Sequence, residues 1–253
     1  MQIIRPSILL SNPKVTACFT TRHGGVSHAP YTTANLAFHV GDARHDVLHN
    51  HDLLANDLGY DRKTLVHMSQ IHSDIVITID DTHSFDTPPQ CDALITNRLN
   101  TPLMVMSADC TPVLIYDPIH NAIGAVHAGR KGALNEILPK TLHAMRESFS
   151  TQINDVQIVM GPSIHGCCYE INETIVSEVV EKGYSGAIQR EIERVFLDVN
   201  TILLLQLQML GVKEENIEVI NHCTSCNCDT YFSYRADAQH SGRIAGVIML
   251  RPA

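Results

Sequence analysis

Between Met106 and Gly132 the chain reads MSADCTPVLIYDPIHNAIGAVHAGRKG. Two short apolar runs, Val113 to Tyr116 and Ala122 to His127, are separated by Asp117-Pro118, and a third, Leu103 to Met106, precedes them. Runs this short and this apolar read as buried strands, and the Asp-Pro pair as the hairpin-like turn between two of them. Cys110 stands at the edge of one run and His127 at the end of another, each beside turn or helix-start residues. Gly129 and Gly132 lead into an amphipathic helix expected from about Ala133 to Phe149, with Ile137, Leu138, Leu142, Met145 and Phe149 on one face. Pro139 inside that pattern predicts a kink or a late start.

The remaining elements follow in order. Val15 to Thr20 alternates as a strand, and Gly24-Gly25 in TRHGGVS marks a tight loop or a close backbone approach. A helix capped by Asp42 or Asp46 runs to Gly59. His49-Asn50-His51 lies on it; an i,i+2 pair does not face one ligand, so these residues are expected to be solvated. Leu65 to Met68 and Ile75 to Ile79 read as strands flanking SQIHSD, and Cys91 to Thr96 starts another. Asn172 is expected to cap a helix to about Lys182, and Asp198 one to Leu210 before Gly211. Strands at Val156 to Met160, Ile217 to Ile220 and Ala245 to Leu250 complete the pattern. Strands and helices intermix without a strict βαβ rhythm, which predicts a mixed-sheet α/β or α+β protein. A chain of 253 residues suits one large domain or two intimately packed halves, and we expect one domain over 1–253.

Composition narrows the function classes. The formal net charge is -9 and the 18 Lys and Arg are scattered, which favours small-molecule or protein partners over nucleic acid. No run approaches the roughly 18 apolar residues of a membrane helix, and the start has no basic region followed by a long apolar stretch. A cytoplasmic protein without membrane partners, monomeric or weakly self-associating, is the expectation. The eight cysteines in so long a chain read as reduced thiols and metal ligands before disulfides.

Zinc takes Cys thiolate and His nitrogen, and a catalytic zinc keeps three protein ligands with one position open. Cys110 and His127 are 17 residues apart with a turn between their strands, so a hairpin can bring both to one rim. His72 in SQIHSD would have to join them on a neighbouring strand; the alternative for Cys110 is a buried core thiol. A second group, Cys223, Cys226 and Cys228 with His222, has C-x-x-C-x-C spacing like part of a structural zinc site. It lacks a nearby second pair; Cys167-Cys168 complete it only through folding, and a thiol-rich loop is the plainer reading. Arg22, Arg44, Arg130, Lys131, Arg235 and Arg243 lie in turn-rich motifs suited to binding an anion such as phosphate. Arg44 and Arg235 are the candidate substrate contacts, Arg235 the better because FSYR flanks it with aromatics. Asp109, beside Cys110, is a candidate either for orienting a ligand and moving protons or for structural capping.

FTTRHGGVS, NLAFHVGD, SQIHSD, CDALIT, ADCTPVLIYDP, AVHAGRKG, GPSIHGCCYEI and HCTSCNCDTYFSYRADAQHSGR occur in this order from about residue 19 onward. In these stretches the chain resembles the YfiH-type laccase-domain family. That family has been described as purine nucleoside phosphorylases with adenosine deaminase activity, as polyphenol oxidases, and in one bacterial branch as a peptidoglycan editing factor. The resemblance implies an αββα-like arrangement of mixed sheets flanked by helices. It also implies a catalytic zinc held by His72, Cys110 and His127. The implied substrates are phosphate and a nucleoside: adenosine, inosine or a relative such as methylthioadenosine. The alternatives are a copper-dependent polyphenol oxidase, a Cys–His hydrolase with Cys110 as nucleophile and His127 as base, and a non-enzymatic binding domain. In AVHAGRKG, Arg130 stands where the family usually has tryptophan and Lys131 where it has arginine; SQIHSD lacks the usual glycine after its histidine.

Overall fold

The computed structural model describes residues 1–252. Its strands are β1 (Ile3–Ile4), β2 (Val15–Thr20), β3 (Val66–His67), β4 (Val76–Thr78), β5 (Ala93–Thr96), β6 (Leu103–Ser107), β7 (Thr111–Asp117), β8 (Ala122–Ala128), β9 (Gln157–Met160), β10 (Glu170–Ile171), β11 (Ile188–Arg190), β12 (Val195–Leu197), β13 (Ile217–Val219) and β14 (Ile244–Leu250). The α-helices are α1 (Ser7–Leu10), α2 (Arg44–Leu58), α3 (Arg130–Leu134), α4 (Ile137–Phe149), α5 (Glu173–Glu181) and α6 (Val199–Leu210).

Two large sheets carry the architecture. One has the order β1-β2-β14-β6-β3, the other β13-β9-β7-β8-β5-β4, and both mix parallel and antiparallel pairs. The hairpin expected at Asp117-Pro118 is the β7–β8 pair, registered Val113 to Val126 and Asp117 to Ala122. Alternate side chains of β7 enter different cores. Val113 and Ile115 pack with Leu138 and Leu142 of α4 and with Ile202 and Leu203 of α6. Leu114 and Tyr116 pack against Phe19, Val105 and Ile248 of the other sheet. That sheet turns Cys18, Met104 and Val247 to Leu54 and Leu58 of α2. The layers are therefore helix, sheet, sheet, helix, as the family resemblance implied. Strands covered on both faces need apolar residues at every position, which is why these segments do not alternate.

Pro139 occupies the third position of α4, in the first turn, where an amide has no partner within the helix. The expected single helix is two: α3 ends at Leu134, and Glu136 at φ 62° redirects the chain into α4. Asn172 and Asp198 cap α5 and α6 by accepting from the amides of Ile175 and Thr201.

One expectation is overturned. Asn50 and His51 of α2 are buried, not solvated. Asn50 donates to Ser27 Oγ and to the carbonyls of Thr33 and Asn35, and accepts from the Val26 amide. His51 stacks on Phe38 and pairs with the Leu36 carbonyl at 2.8 Å. Asn50 and His51 thus face a loop folded over the helix rather than water, whereas His49 is exposed as expected. Gly25 is where that loop comes closest: a Cβ there would lie 2.4 Å from Asn50 Oδ1. The small sheet β10-β12-β11 has no counterpart in the sequence reading, because its strands are only two or three residues long.

A candidate metal centre in an arginine-lined cavity

Register places the site. Pro112 pairs with His127 and Thr111 with Ala128, so the turn before β7 brings Cys110 beside Gly129. The loop after β3 supplies His72, whose backbone is left-handed at φ 56°. The ligand atoms of His72, Cys110 and His127 all lie within 4.8 Å of one another. The two imidazoles meet edge to face at 4.9 Å between centroids.

Asp92, at the start of β5 and fully buried, organises this group. Its Oδ1 accepts from the His72 amide at 3.1 Å and sits 2.8 Å from His127 Nδ1. Its Oδ2 accepts from the Ser73 amide at 2.6 Å and hydroxyl at 2.7 Å, and from the Ile71 amide at 3.3 Å. One carboxylate therefore holds the loop of one ligand and orients the ring of the other. Engagement of Nδ1 leaves His127 Nε2 for Cys110, the arrangement in which a second partner fixes a metal-binding histidine. Burial pushes the Asp92 pKa up, but hydrogen bonds from His127 and Ser73 outweigh it and bring it down to about 2. Burial likewise opposes charge on Cys110; His127 and His72 prevail and draw the thiol down to about 6. Burial depresses His127, but Cys110 and Asp92 raise it to about 9. The sequence reading stopped at CDALIT as a strand and missed this aspartate. The available signal was an acidic residue opening an otherwise apolar strand.

Two histidine nitrogens and one thiolate match the donor set of a three-ligand metal site with room for a further ligand. Gly129 keeps that space open: a Cβ there would stand 2.8 Å from Cys110 Sγ and 3.4 Å from His72 Cδ2. Gly129→Ala is expected to displace Cys110 and to weaken metal binding by about tenfold or more, as disturbance of a ligand's surroundings does elsewhere. Titration of the variant against a competing chelator measures this.

The triad opens into a cavity of about 490 Å³, within the range of small-molecule sites. Arg130, Arg235 and Arg243 line it, with Tyr169 and Tyr234. The Arg235 guanidinium lies 5.5 Å over the Tyr169 ring, and that of Arg243 lies 5.7 Å over Tyr234. Arg130 is paired with Glu178 of α5. Arg44 is elsewhere: it stacks on Phe38 at 5.0 Å and lines a neighbouring recess that shares His39 and Met106 with the main cavity. Lys131 is exposed and does not line the cavity. Asp109 has its carboxylate engaged by structure, accepting from Thr224 Oγ1 and the Arg235 amide at 2.7 Å each. That fastens the segment carrying Arg235 to the turn carrying Cys110.

Known proteins share this architecture. The chain is 39% identical to a purine nucleoside phosphorylase of Corynebacterium glutamicum, over 94% of this chain and 96% of that one. It is 30% identical to the purine nucleoside phosphorylase YlmD of Bacillus subtilis, over 96% and 91%. Among solved structures, the hypothetical protein YfiH of Bacillus licheniformis superposes with a TM-score of 0.93 at 29% identity, covering 99% of this chain and 97% of that one. YlmD from Geobacillus stearothermophilus superposes with a TM-score of 0.90 at 27% identity, covering 100% and 97%. A family model described as multi-copper polyphenol oxidoreductase laccase matches residues 16–251, and on that extent of agreement the chain belongs to this laccase-domain family.

Proposed function

We propose that this protein is a zinc-dependent purine nucleoside phosphorylase acting on adenosine, inosine and related nucleosides, methylthioadenosine included, with adenosine deaminase activity. The observation that carries the reading is three arginines around the His72–Cys110–His127 group, in a cavity of nucleoside size within a chain of net charge -9. The name purine nucleoside phosphorylase borne by its relatives supports the phosphorylase part of the reading. His72, Cys110 and His127 would hold the zinc. Zinc supplies a Lewis acid that activates water or polarises a substrate oxygen near neutral pH.

The protein's own groups account for binding and orientation. Arg235 and Arg243 would bind an anion such as phosphate through the guanidinium N–H groups left beyond their bonds to the Glu170, Ser241 and Gly242 carbonyls. Tyr169 and Tyr234, which line the cavity beside these guanidiniums, would supply aromatic surface for a purine to pack against. In phosphorolysis the bond from the sugar C1′ to the base breaks, a phosphate oxygen bonds to C1′, and the base leaves with a proton. In deamination water adds to C6 of adenine and ammonia departs. The first reaction needs the anion site; the second does not.

Incubation of the zinc-loaded protein with adenosine, with and without phosphate, separates the two. Free adenine and ribose 1-phosphate should form only with phosphate, and inosine in either case. Arg235→Ala should raise the KM for phosphate about tenfold, the lower end for a charge-assisted contact because the side chain is exposed. Inosine formation should change much less. No conversion of adenosine or inosine by protein carrying stoichiometric zinc overturns the proposal.

A second reading, a Cys–His hydrolase, rests on the Cys110–His127–Asp92 line, with its thiol drawn down and its imidazole oriented. Zinc distinguishes them: it should protect Cys110 from alkylation in the phosphorylase, whereas a hydrolase should trap an acyl group on Cys110. The copper oxidase reading has less support, because the other metal-binding group among the described residues is all cysteine and adds no histidines for further coppers.

A further inference from the structure

Two loops far apart in sequence lead into residues that line the cavity, Ile164 and Tyr169 from one and Tyr234 and Arg235 from the other. One follows β9 and carries Cys167 and Cys168; the other follows β13 and carries Cys223 and Cys226. Backbone hydrogen bonds join them: the Ser163 amide donates to the His222 carbonyl at 3.3 Å, and the Thr224 amide to the Ser163 carbonyl at 2.9 Å. The join directs four sulfurs to one point. Cys167 and Cys168 are 3.8 Å apart, Cys167 and Cys226 3.6 Å, and Cys168 and Cys226 3.3 Å. With Cys223 all four lie within 4.8 Å of one another. Cys228 is outside the group, and His222 is paired with the Tyr231 hydroxyl at 2.6 Å.

We propose that Cys167, Cys168, Cys223 and Cys226 form a second metal site, a tetrathiolate centre for one zinc ion that pins the two loops together. Four sulfurs about 2.3 Å from a tetrahedral zinc lie about 3.8 Å from each other, close to the spacing here. The four cysteines are free thiols, their sulfurs farther apart than the S–S bond of about 2.05 Å in a disulfide. They are close enough for a single ion and too close to surround a cluster of several irons. Zinc binding at pH 7 releases the thiol protons and stabilises the folded join.

The site holds structure rather than reacting groups. Ile164 and Tyr169 flank one cysteine pair and Arg235 follows the other, and all three line the cavity. Arg235 also donates to the Glu170 carbonyl, so its position depends on the loop the metal would fasten. The site is about stability and positioning, and it stands whether or not the substrate is a nucleoside.

The test is zinc stoichiometry on reduced, chelator-stripped protein titrated with zinc alone. The wild type should take two equivalents. Cys110→Ala should keep one, and Cys226→Ser, at an exposed position, should keep the other. Cobalt(II) in place of zinc should give a thiolate-to-metal absorption several times stronger in Cys110→Ala than in Cys226→Ser, because four thiolates remain in one and a single thiolate in the other. Cys168→Ser should reproduce Cys226→Ser. A wild type that takes one equivalent, lost in Cys110→Ala, overturns the proposal. So does recovery of Cys167 or Cys168 joined to Cys223 or Cys226 by a disulfide that, once reduced, yields no second equivalent. Neither readout depends on nucleoside turnover, so failure here is distinct from failure of the proposed activity.

Discussion

Cys110→Ala is expected to lose the metal of the His72–Cys110–His127 centre and nucleoside turnover together, while the fold remains. The fold survives because Cys110 is only half-buried at the cavity rim, and its loss opens no void in the sheets. The metal is lost because only His72 and His127 remain, and His72 is exposed on a loop. Lewis-acid stabilisation worth several kcal/mol corresponds to a loss of about a thousandfold or more in kcat/KM. Added zinc should not restore it. Metal analysis, far-ultraviolet circular dichroism and turnover on the same sample measure the three effects. Retained turnover without metal would move the chemistry elsewhere in the cavity.

The parts of this arrangement that were legible share one property: their signal is local. Leu103 to Met106, Val113 to Tyr116 and Ala122 to His127 are apolar at every position because both faces of their strands are covered, and each is a strand in the structure. Asn172, Asp198, Gly59 and Gly211 carry capping chemistry within one turn of the helices they bound. His72, Cys110 and His127 stood out by residue type, and the structure brings them together. What was not legible depends on long-range assembly. Asp92 is an ordinary acidic residue until the fold brings three successive amides and a histidine ring to it. His51 looked solvated until a loop from Val26 to Leu36 was laid over it. Cys167 and Cys168 are more than fifty residues from Cys223 and Cys226, and a backbone join makes them neighbours. Arg44, chosen for its motif, stacks on Phe38, while Arg130 and Arg243 reach the cavity.

Asp92→Asn should produce a different failure from Cys110→Ala, and the difference tests whether Asp92 acts through its neighbours. All three ligands remain, so the metal site is loosened rather than removed. An amide has one acceptor oxygen, whereas all the contacts to Asp92 are donors arriving at two oxygens. The new NH₂ must therefore oppose either His72 and His127 or Ile71 and Ser73. Breaking a buried, fully paired carboxylate costs about 3 kcal/mol, which for a chain of this size lowers Tm by about 6–12 °C. His127 loses the partner that fixes its ring, and zinc affinity should fall about 10–100-fold. Turnover should recover substantially at saturating zinc, which Cys110→Ala cannot do. Chelator competition and zinc-dependent turnover give both numbers. If Asp92→Asn binds zinc as tightly as the wild type and melts at the same temperature, Asp92 is not the residue that positions His72 and His127.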